Sequence, residues 1–216
     1  MLQDTSPFSN YVDTTFLLIV GVSLLVLIGI LIAMLFFVIR YRRKKNPHPT
    51  NIEGNVPLEI TWTVVPLVLF MGMFYLGWAG YRQMATIPEG AIPINATARM
   101  WQWNFEYTNG VTTDTLYVPN GAPVKLAIRS LDVNHSLYIP AFRIKKDAIP
   151  NRVNEMWFKT SQVQSYDVAC AEYCGLQHSY MYTKVVSMDS TAFEAWYQTA
   201  SARQTKAYQP ILSIQH

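Results

Sequence analysis

Two cysteines, a histidine and a methionine stand close together near the end of the chain, and their side chains are those that bind soft metal ions. Cys170 and Cys174 are the only cysteines among the 216 residues, and His178 and Met181 follow closely. A disulfide would close a loop of only a few residues, so it would stabilise the fold weakly. Methionine is not a usual zinc ligand, whereas thiolate, imidazole and thioether together favour copper. The segment therefore predicts a copper site.

The second thiolate distinguishes this segment from a mononuclear blue-copper site, which uses one cysteine, two histidines and a weak axial methionine. Two thiolates on one loop can bridge two copper ions, and each ion then needs an imidazole. His178 supplies one of them. We expect His135 to supply the other, because His48 lies on the opposite side of the membrane predicted below and His216 is the last residue.

Two long apolar runs predict a helical hairpin that crosses a membrane. Residues 14–39 contain no charged side chain and exceed the roughly 20 residues that cross about 30 Å of hydrocarbon. A second uncharged run covers residues 60–80. The loop at 40–59 is predicted to be cytoplasmic, because residues 40–49 hold five basic side chains and no acid. The N-terminus and everything after the hairpin are then expected on the outer face.

We assign residues 1–82 to the N-terminal segment and the hairpin. Residues 83–93, which contain prolines and a glycine, are predicted to form a linker. After the linker, apolar residues recur with the period of two that is typical of β-strands. A strand at 99–107 is predicted to place its aromatic side chains on one face: Trp101, Trp103, Phe105 and Tyr107. Further short strands are predicted at residues 113–118, 124–130, 136–139, 155–159, 165–169 and 182–187.

Many short strands separated by turns indicate a β-sandwich or small barrel, which we place at residues 94–200. A short helix is predicted to begin at Asp189 or Ser190 and to end near Ala200, and residues 201–216 are predicted to form a tail. The charges of the outer part nearly balance, which predicts no nucleic-acid partner.

The chain resembles subunit II of the haem-copper cytochrome c oxidases. The family pattern Cys-x-Glu-x-Cys-x-x-x-His-x-x-Met is complete at residues 170–181 and follows a two-helix transmembrane hairpin. The resemblance implies an all-β, cupredoxin-like barrel or sandwich that carries the dinuclear copper A centre. It also implies the ligand set: the bridging thiolates of Cys170 and Cys174, the imidazoles of His135 and His178, the weak sulfur ligand Met181 and the backbone carbonyl of Glu172.

Four further assignments follow from the resemblance alone. Trp101, in the run 100–103, corresponds to the tryptophan that first receives the electron, although Met100 departs from the residue common before it. The Glu172 side chain corresponds to a magnesium ligand at the interface with subunit I. Glu59 corresponds to a glutamate near the mouth of a proton path. Residues 144–150 match a segment that supports the copper loop, and Asn151 stands where many relatives have glycine.

The resemblance implies a respiratory role, in which the chain accepts electrons from cytochrome c and passes them to haem in subunit I for oxygen reduction. The expected partners are subunit I, other oxidase subunits, membrane lipid and either cytochrome c or a haem c domain of a neighbouring complex. The outward topology fits the periplasmic side of a bacterial inner membrane. The alternatives are the copper A subunit of a nitric oxide reductase or other haem-copper reductase, and a membrane-anchored copper carrier.

Overall fold

The computed structural model describes residues 6–48, 50, 51 and 53–207, with side chains described only as far as residue 201. Helix α1 comprises Ser9–Arg40 and helix α2 comprises Val56–Ala85. Both are long and apolar enough to cross a membrane. Their apolar side chains are exposed along their lengths; Leu25, for example, is 73% exposed. The two predicted spans are confirmed.

Each helix is longer than the uncharged run from which it was predicted, and the predicted loop at 40–59 is correspondingly too long. Capping explains the early start of α2. The Asn55 side chain accepts a hydrogen bond from the Leu58 N–H at 3.1 Å, and the Glu59 carboxylate accepts one from the Asn55 N–H at 3.3 Å. These bonds satisfy backbone groups that the first turn of a helix leaves without partners, so the helix begins before the apolar run does.

Ten strands follow within the described residues and form two five-stranded sheets. They are β1 (Ile92–Arg99), β2 (Gln102–Tyr107), β3 (Thr112–Thr113), β4 (Leu116–Pro119), β5 (Pro123–Ser130), β6 (His135–Ile139), β7 (Ile144–Ala148), β8 (Asn154–Lys159), β9 (Ser165–Cys170) and β10 (Tyr182–Met188). The strand order is β3-β2-β1-β5-β8 in one sheet and β4-β10-β9-β6-β7 in the other. Helix α3, Ser190–Ala207, follows β10. The predicted all-β domain with a C-terminal helix is confirmed.

The core of this domain forms from the inward faces of both sheets. In β5, Val124, Leu126 and Ile128 are fully buried and alternate with the polar residues Lys125 and Arg129. Successive side chains of a strand point to opposite faces of the sheet, so this alternation gives β5 one apolar face. Burying each such aliphatic side chain contributes roughly 1.5–3 kcal/mol.

A short segment before α1 belongs to the same compact unit as the β-domain. The Phe8 ring is 2% exposed and packs edge-on against the Trp157 ring, with 4.8 Å between the ring centroids. The Ser6 hydroxyl donates a hydrogen bond to the Phe142 carbonyl at 3.3 Å. The Trp157 indole N–H donates to the carbonyl of Gln83, in the last turn of α2, at 3.3 Å. The residues just before and just after the hairpin therefore both contact strand β8.

The predicted linker and the first predicted strand both differ from the structure. Strand β1 begins at Ile92, inside the predicted linker 83–93, and only residues 86–91 separate it from α2. Its inward residues include Ala96 and Ala98, which give a weak apolar signal, yet pairing with both β2 and β5 stabilises the strand. The predicted strand 99–107 is broken at residues 100 and 101, which form the turn between β1 and β2.

Trp103, Phe105 and Tyr107 share the buried face of β2 as predicted, whereas Trp101 lies in the turn. The strand predicted at 113–118 is divided, because β3 pairs with β2 and β4 pairs with β10 in the other sheet.

Strand β7 was not predicted, and α3 continues to Ala207, into the predicted tail 201–216; the part of that tail after residue 207 lies outside the described residues. Asn151, which stands where glycine was expected, has a φ of 59° in the left-handed region. Asparagine tolerates that region better than most residues do, so the substitution affects a turn only.

Candidate metal centre

The predicted ligands come from three neighbouring strands of one sheet. Strand β6 pairs antiparallel with β9, and β9 pairs antiparallel with β10. The start of β6, the end of β9 and the start of β10 therefore lie at the same end of the sheet. His135 is the first residue of β6, Cys170 is the last residue of β9, and Met181 immediately precedes β10. The loop between β9 and β10 carries the other predicted ligands.

The two cysteine thiols face each other across this end of the sheet. Both are free and buried, and their sulfur atoms are 3.8 Å apart. That separation is well beyond the roughly 2.05 Å of a disulfide bond. His135 Nδ1 lies 3.9 Å from Cys170 Sγ, and His178 Nδ1 lies 3.5 Å from Cys174 Sγ. Each sulfur therefore has one imidazole nitrogen beside it.

Met181 and Glu172, the two other predicted ligands, each contact one of the cysteine sulfur atoms. Met181 is fully buried, and its Sδ lies 3.9 Å from Cys174 Sγ. The Glu172 backbone carbonyl accepts a hydrogen bond from the Cys170 thiol at 3.3 Å. Ligand atoms of His135, Cys170 and Cys174 all lie within 4.8 Å of one another. The structure thus brings together all six residues that were predicted as ligands.

Burial affects the protonation of the Cys174 thiol. Desolvation of the Cys174 thiol, together with the neighbouring Cys170, raises the pKa of Cys174 to about 11. The thiol therefore carries its proton at neutral pH, and a metal ion that binds the sulfur must displace that proton.

Asp132, which was not predicted as a site residue, lies three positions before His135. Its Oδ1 is 2.8 Å from His135 Nε2, and its Oδ2 accepts a hydrogen bond from the Met100 N–H at 2.7 Å. Partial burial opposes ionisation of Asp132, but the hydrogen bonds from Met100, His135 and the Val133 N–H outweigh it and lower its pKa to about 2. A carboxylate this close to a candidate ligand histidine in sequence is a signal that could have identified it.

Trp101 contacts the loop between β9 and β10, residues 171–181, directly. We call this loop the metal-binding loop after its predicted role. The Trp101 indole N–H donates a hydrogen bond to the Cys174 carbonyl at 3.2 Å, and the indole ring lies over Gly175. The prediction placed Trp101 on a strand face, whereas it lies in the turn between β1 and β2. The Trp103 ring is buried and packs edge-on against the His135 imidazole.

The Glu172 side chain lies outside the sulfur and imidazole group and pairs with Lys145. Lys145 Nζ contacts the Glu172 carboxylate at 3.0 Å and the Asp147 carboxylate at 2.9 Å. The hydrogen bonds to Asp147 and Glu172 raise the pKa of Lys145, and the one from Lys145 lowers the pKa of Asp147. Glu59 caps α2 as described above, and its predicted link to a proton path stays a prediction.

Two family models and several known proteins match this chain. The family described as cytochrome c oxidase subunit II, transmembrane domain, matches residues 1–76, and the one described as cytochrome c oxidase subunit II, periplasmic domain, matches residues 110–188. Cytochrome c oxidase subunit 2 of Alkalihalophilus pseudofirmus is 30% identical over 197 residues, which are 86% of this chain and 58% of that protein. The corresponding protein of Cereibacter sphaeroides is 28% identical over 225 residues, which are 86% of this chain and 74% of that protein.

Two solved structures share the fold of the β-domain. The periplasmic domain of cytochrome oxidase subunit II of Bradyrhizobium japonicum superimposes with a TM-score of 0.53 at 27% identity, over 55% of this chain and 99% of that one. A second structure is a mixed disulfide between a thioredoxin-like protein and a cytochrome c oxidase subunit II, with a TM-score of 0.50 at 26% identity, over 55% of this chain and 96% of that one. The two family matches together span more than two thirds of the chain. The protein therefore belongs to the cytochrome c oxidase subunit II family.

Proposed function

We propose that this chain is the subunit through which electrons reach a respiratory haem-copper oxidase, and that it holds two copper ions between its two cysteines. The observation that carries the proposal is the pair of free, buried thiols, 3.8 Å apart, with an imidazole nitrogen beside each. Two copper ions held by these residues would supply a one-electron relay.

The donor set fits copper better than zinc. Two cysteines and two histidines alone would be a common zinc set, but the fully buried Met181 sulfur, 3.9 Å from Cys174, adds a thioether that zinc does not usually bind. Soft sulfur ligands with imidazole favour copper. On this proposal Cys170 and Cys174 bridge the metals, and the other ligands are His135, His178, Met181 and the Glu172 carbonyl.

Trp101 is the residue that we propose receives the electron from the donor. Its hydrogen bond to the Cys174 carbonyl gives a short connection from the outer turn to a bridging ligand. The donor that we propose is cytochrome c or a haem c domain, and the acceptor is haem in subunit I. Both cysteines are buried, which limits the access of water to the sulfur atoms and favours a relay with a low reorganisation energy.

We also propose that the β-domain and the N-terminus lie on the outer, periplasmic side of a bacterial inner membrane. Residues 40–45 hold five basic side chains and no acid, which favours a cytoplasmic loop. The contact between Phe8 and Trp157 supports placing the N-terminal segment on the same side as the domain. A magnesium ion at the Glu172 carboxylate would share that group with Lys145, whose Nζ contacts Oε1 at 3.0 Å.

Copper stoichiometry and electron paramagnetic resonance of the full-length chain test the proposal. We expect two coppers per chain and hyperfine coupling to two copper nuclei. Cys174→Ser should abolish that spectrum, and Met181→Leu should alter it. Met156→Leu is a matched control, because Met156 is a buried methionine on β8, in the other sheet. One copper per chain, or a Cys174→Ser chain with the parental spectrum, would overturn the proposal.

Electron delivery tests the role of Trp101 separately. Trp101→Phe and Trp101→Ala should slow reduction by cytochrome c in the assembled oxidase while the copper spectrum stays parental. Met100→Leu, which changes the neighbouring exposed side chain, serves as the control. Normal reduction rates in Trp101→Ala would remove this residue from the pathway without affecting the copper assignment.

A further inference from the structure

The Asp132 carboxylate connects two parts of the domain that are distant in sequence. It lies in the turn between β5 and β6, where Oδ1 accepts a hydrogen bond from the Val133 N–H at 2.7 Å. The same oxygen lies 2.8 Å from His135 Nε2. The other oxygen, Oδ2, accepts the Met100 N–H from the turn between β1 and β2 at 2.7 Å. One carboxylate therefore joins the His135 imidazole to the turn that carries Trp101.

The bond to His135 determines which imidazole nitrogen is available to a metal. An ionised carboxylate is only an acceptor, so Nε2 must carry the proton of the neutral ring. That tautomer leaves the lone pair on Nδ1, the nitrogen on the side of Cys170. His135 is fully buried, so solvent water does not compete as a partner. Metal-bound histidines generally rely on such a carboxylate or carbonyl to fix their orientation.

The bond to Met100 holds the turn that places Trp101 on the metal-binding loop. The Trp101 indole bonds to the Cys174 carbonyl, and the Met100 N–H bonds to Asp132. The turn is therefore attached to both halves of the centre, to the thiol loop through Trp101 and to the imidazole through Asp132.

We propose that Asp132 is a positioning residue that fixes the His135 tautomer for metal binding and, with its second oxygen, holds the Trp101 turn against the centre. The inference about metal binding rests on the proposed function, whereas the tautomer and the turn can be tested without metal. Two donors from outside its own turn converge on the two oxygens of this side chain, and an amide offers only one acceptor atom. Asn at this position can keep its oxygen on the Met100 N–H only by turning its NH2 group toward His135 Nε2, which moves the imidazole proton to Nδ1; if its oxygen instead accepts from His135, the Met100 N–H loses its acceptor.

The first measurement uses the metal-free, full-length chain with ¹⁵N-labelled histidine. The chain has only four histidines, which keeps the imidazole spectrum simple. We expect the parental His135 to carry its proton on Nε2, and Asp132→Ala to lose that preference. Asp114→Asn is the control, because Asp114 also accepts a hydrogen bond in a turn, from the Thr115 hydroxyl at 3.1 Å, and it contacts neither His135 nor Met100.

The second measurement is copper affinity by competition with a chelator, together with the electron paramagnetic resonance spectrum. Removal of such an outer partner typically lowers metal affinity about 10–100-fold, and we expect that loss in Asp132→Ala. Asp132→Asn should either move the His135 proton to Nδ1 and lower copper affinity, or release the Met100 N–H and change the tryptophan fluorescence. An Asp132→Asn chain with the parental tautomer, copper affinity and fluorescence would overturn the inference. If Asp132→Ala does not fold by circular dichroism, Asp132→Asn decides the test.

Three results with Asp132→Ala would also overturn the inference. Asp132→Ala could retain the parental His135 tautomer, it could bind copper within twofold of the parent with the parental spectrum, or it could change only the KM for a soluble donor, which would make Asp132 a docking residue. A parental chain that binds no copper pair would instead refute the proposed function. The tautomer and fluorescence results would still stand in that case.

Discussion

A side chain at Gly175 would crowd the indole that we propose receives the electron. Gly175 has a φ of +116°, which residues with a Cβ rarely adopt. A Cβ at this position would lie 3.3 Å from a Trp101 ring carbon and 3.4 Å from its indole nitrogen. We therefore expect Gly175→Ala to strain the loop and to push the Trp101 ring away from the Cys174 carbonyl.

The size of the effect follows from two terms. Forcing a residue other than glycine into such a backbone region costs roughly 1–3 kcal/mol, and loss of the indole hydrogen bond adds about 1 kcal/mol. Gly90→Ala is the matched control, because Gly90 has a φ of +73° and no atom within 4 Å of its would-be Cβ. That change should cost only about 1–2 kcal/mol. The excess of about 1–2 kcal/mol corresponds to a melting temperature lower by roughly 5 °C.

Thermal unfolding of the metal-free, full-length chain, followed by near-ultraviolet circular dichroism, measures this difference. Combining Gly175→Ala with Trp101→Ala should recover part of the loss, because the crowding is then absent and the two residues are coupled. Equal melting temperatures for Gly175→Ala and Gly90→Ala, with no coupling to Trp101, would refute the packing of the indole on the loop.

Three further changes test other parts of the domain. Tyr107→Phe should lower the free energy of unfolding by about 1–3 kcal/mol, because the Tyr107 hydroxyl bonds to both the N–H and the carbonyl of Tyr117 at 2.8 Å. Asp147→Asn should differ from the parent in stability by less as pH falls from 5 to 2. The hydrogen bond from Lys145 lowers the pKa of Asp147 below its ordinary value of 3.8. The ionised carboxylate therefore stabilises the fold above pH 3.8, and this stabilisation is lost as pH falls through the lowered pKa. Phe8→Ala should cost about 3 kcal/mol and expose the N-terminal segment to proteases, because it leaves a cavity.

Specific outcomes would contradict these expectations. An unchanged melting temperature for Tyr107→Phe would mean that other groups satisfy the Tyr117 backbone; Tyr182→Phe, which alters an exposed ring, is its control. For Asp147→Asn, a stability difference from the parent that stays constant between pH 2 and 5 would show that the ion pair with Lys145 does not stabilise the fold. The change that we expect over this pH range is only about a few tenths of a kcal/mol, because both side chains are exposed. Unchanged protease resistance in Phe8→Ala would contradict the packing of that segment.

The spans and the metal-binding loop could be predicted from the sequence because both are local signals. A membrane span requires only a continuous apolar run of sufficient length. Cys170, Cys174, His178 and Met181 lie within twelve residues, so their chemistry can be inferred before any fold is known. His135 could be predicted only by elimination among four histidines, with no local reason why it should lie near Cys170.

The contacts around the centre depend on which strand ends meet, and residue spacing does not specify that. Trp101 was placed on a strand by its period of two, but pairing of Arg99 with Gln102 makes residues 100 and 101 a turn. That turn reaches the metal-binding loop because the two sheets pack together.

The sequence by itself determined the ligand types and the two spans. Only the tertiary structure decided that one sheet end brings His135 beside the thiols and that Asp132 joins this imidazole to the Trp101 turn. The physical reason is that apolar runs and ligand spacing act over a few residues, whereas strand pairing and sheet packing bring together residues that are far apart in the chain.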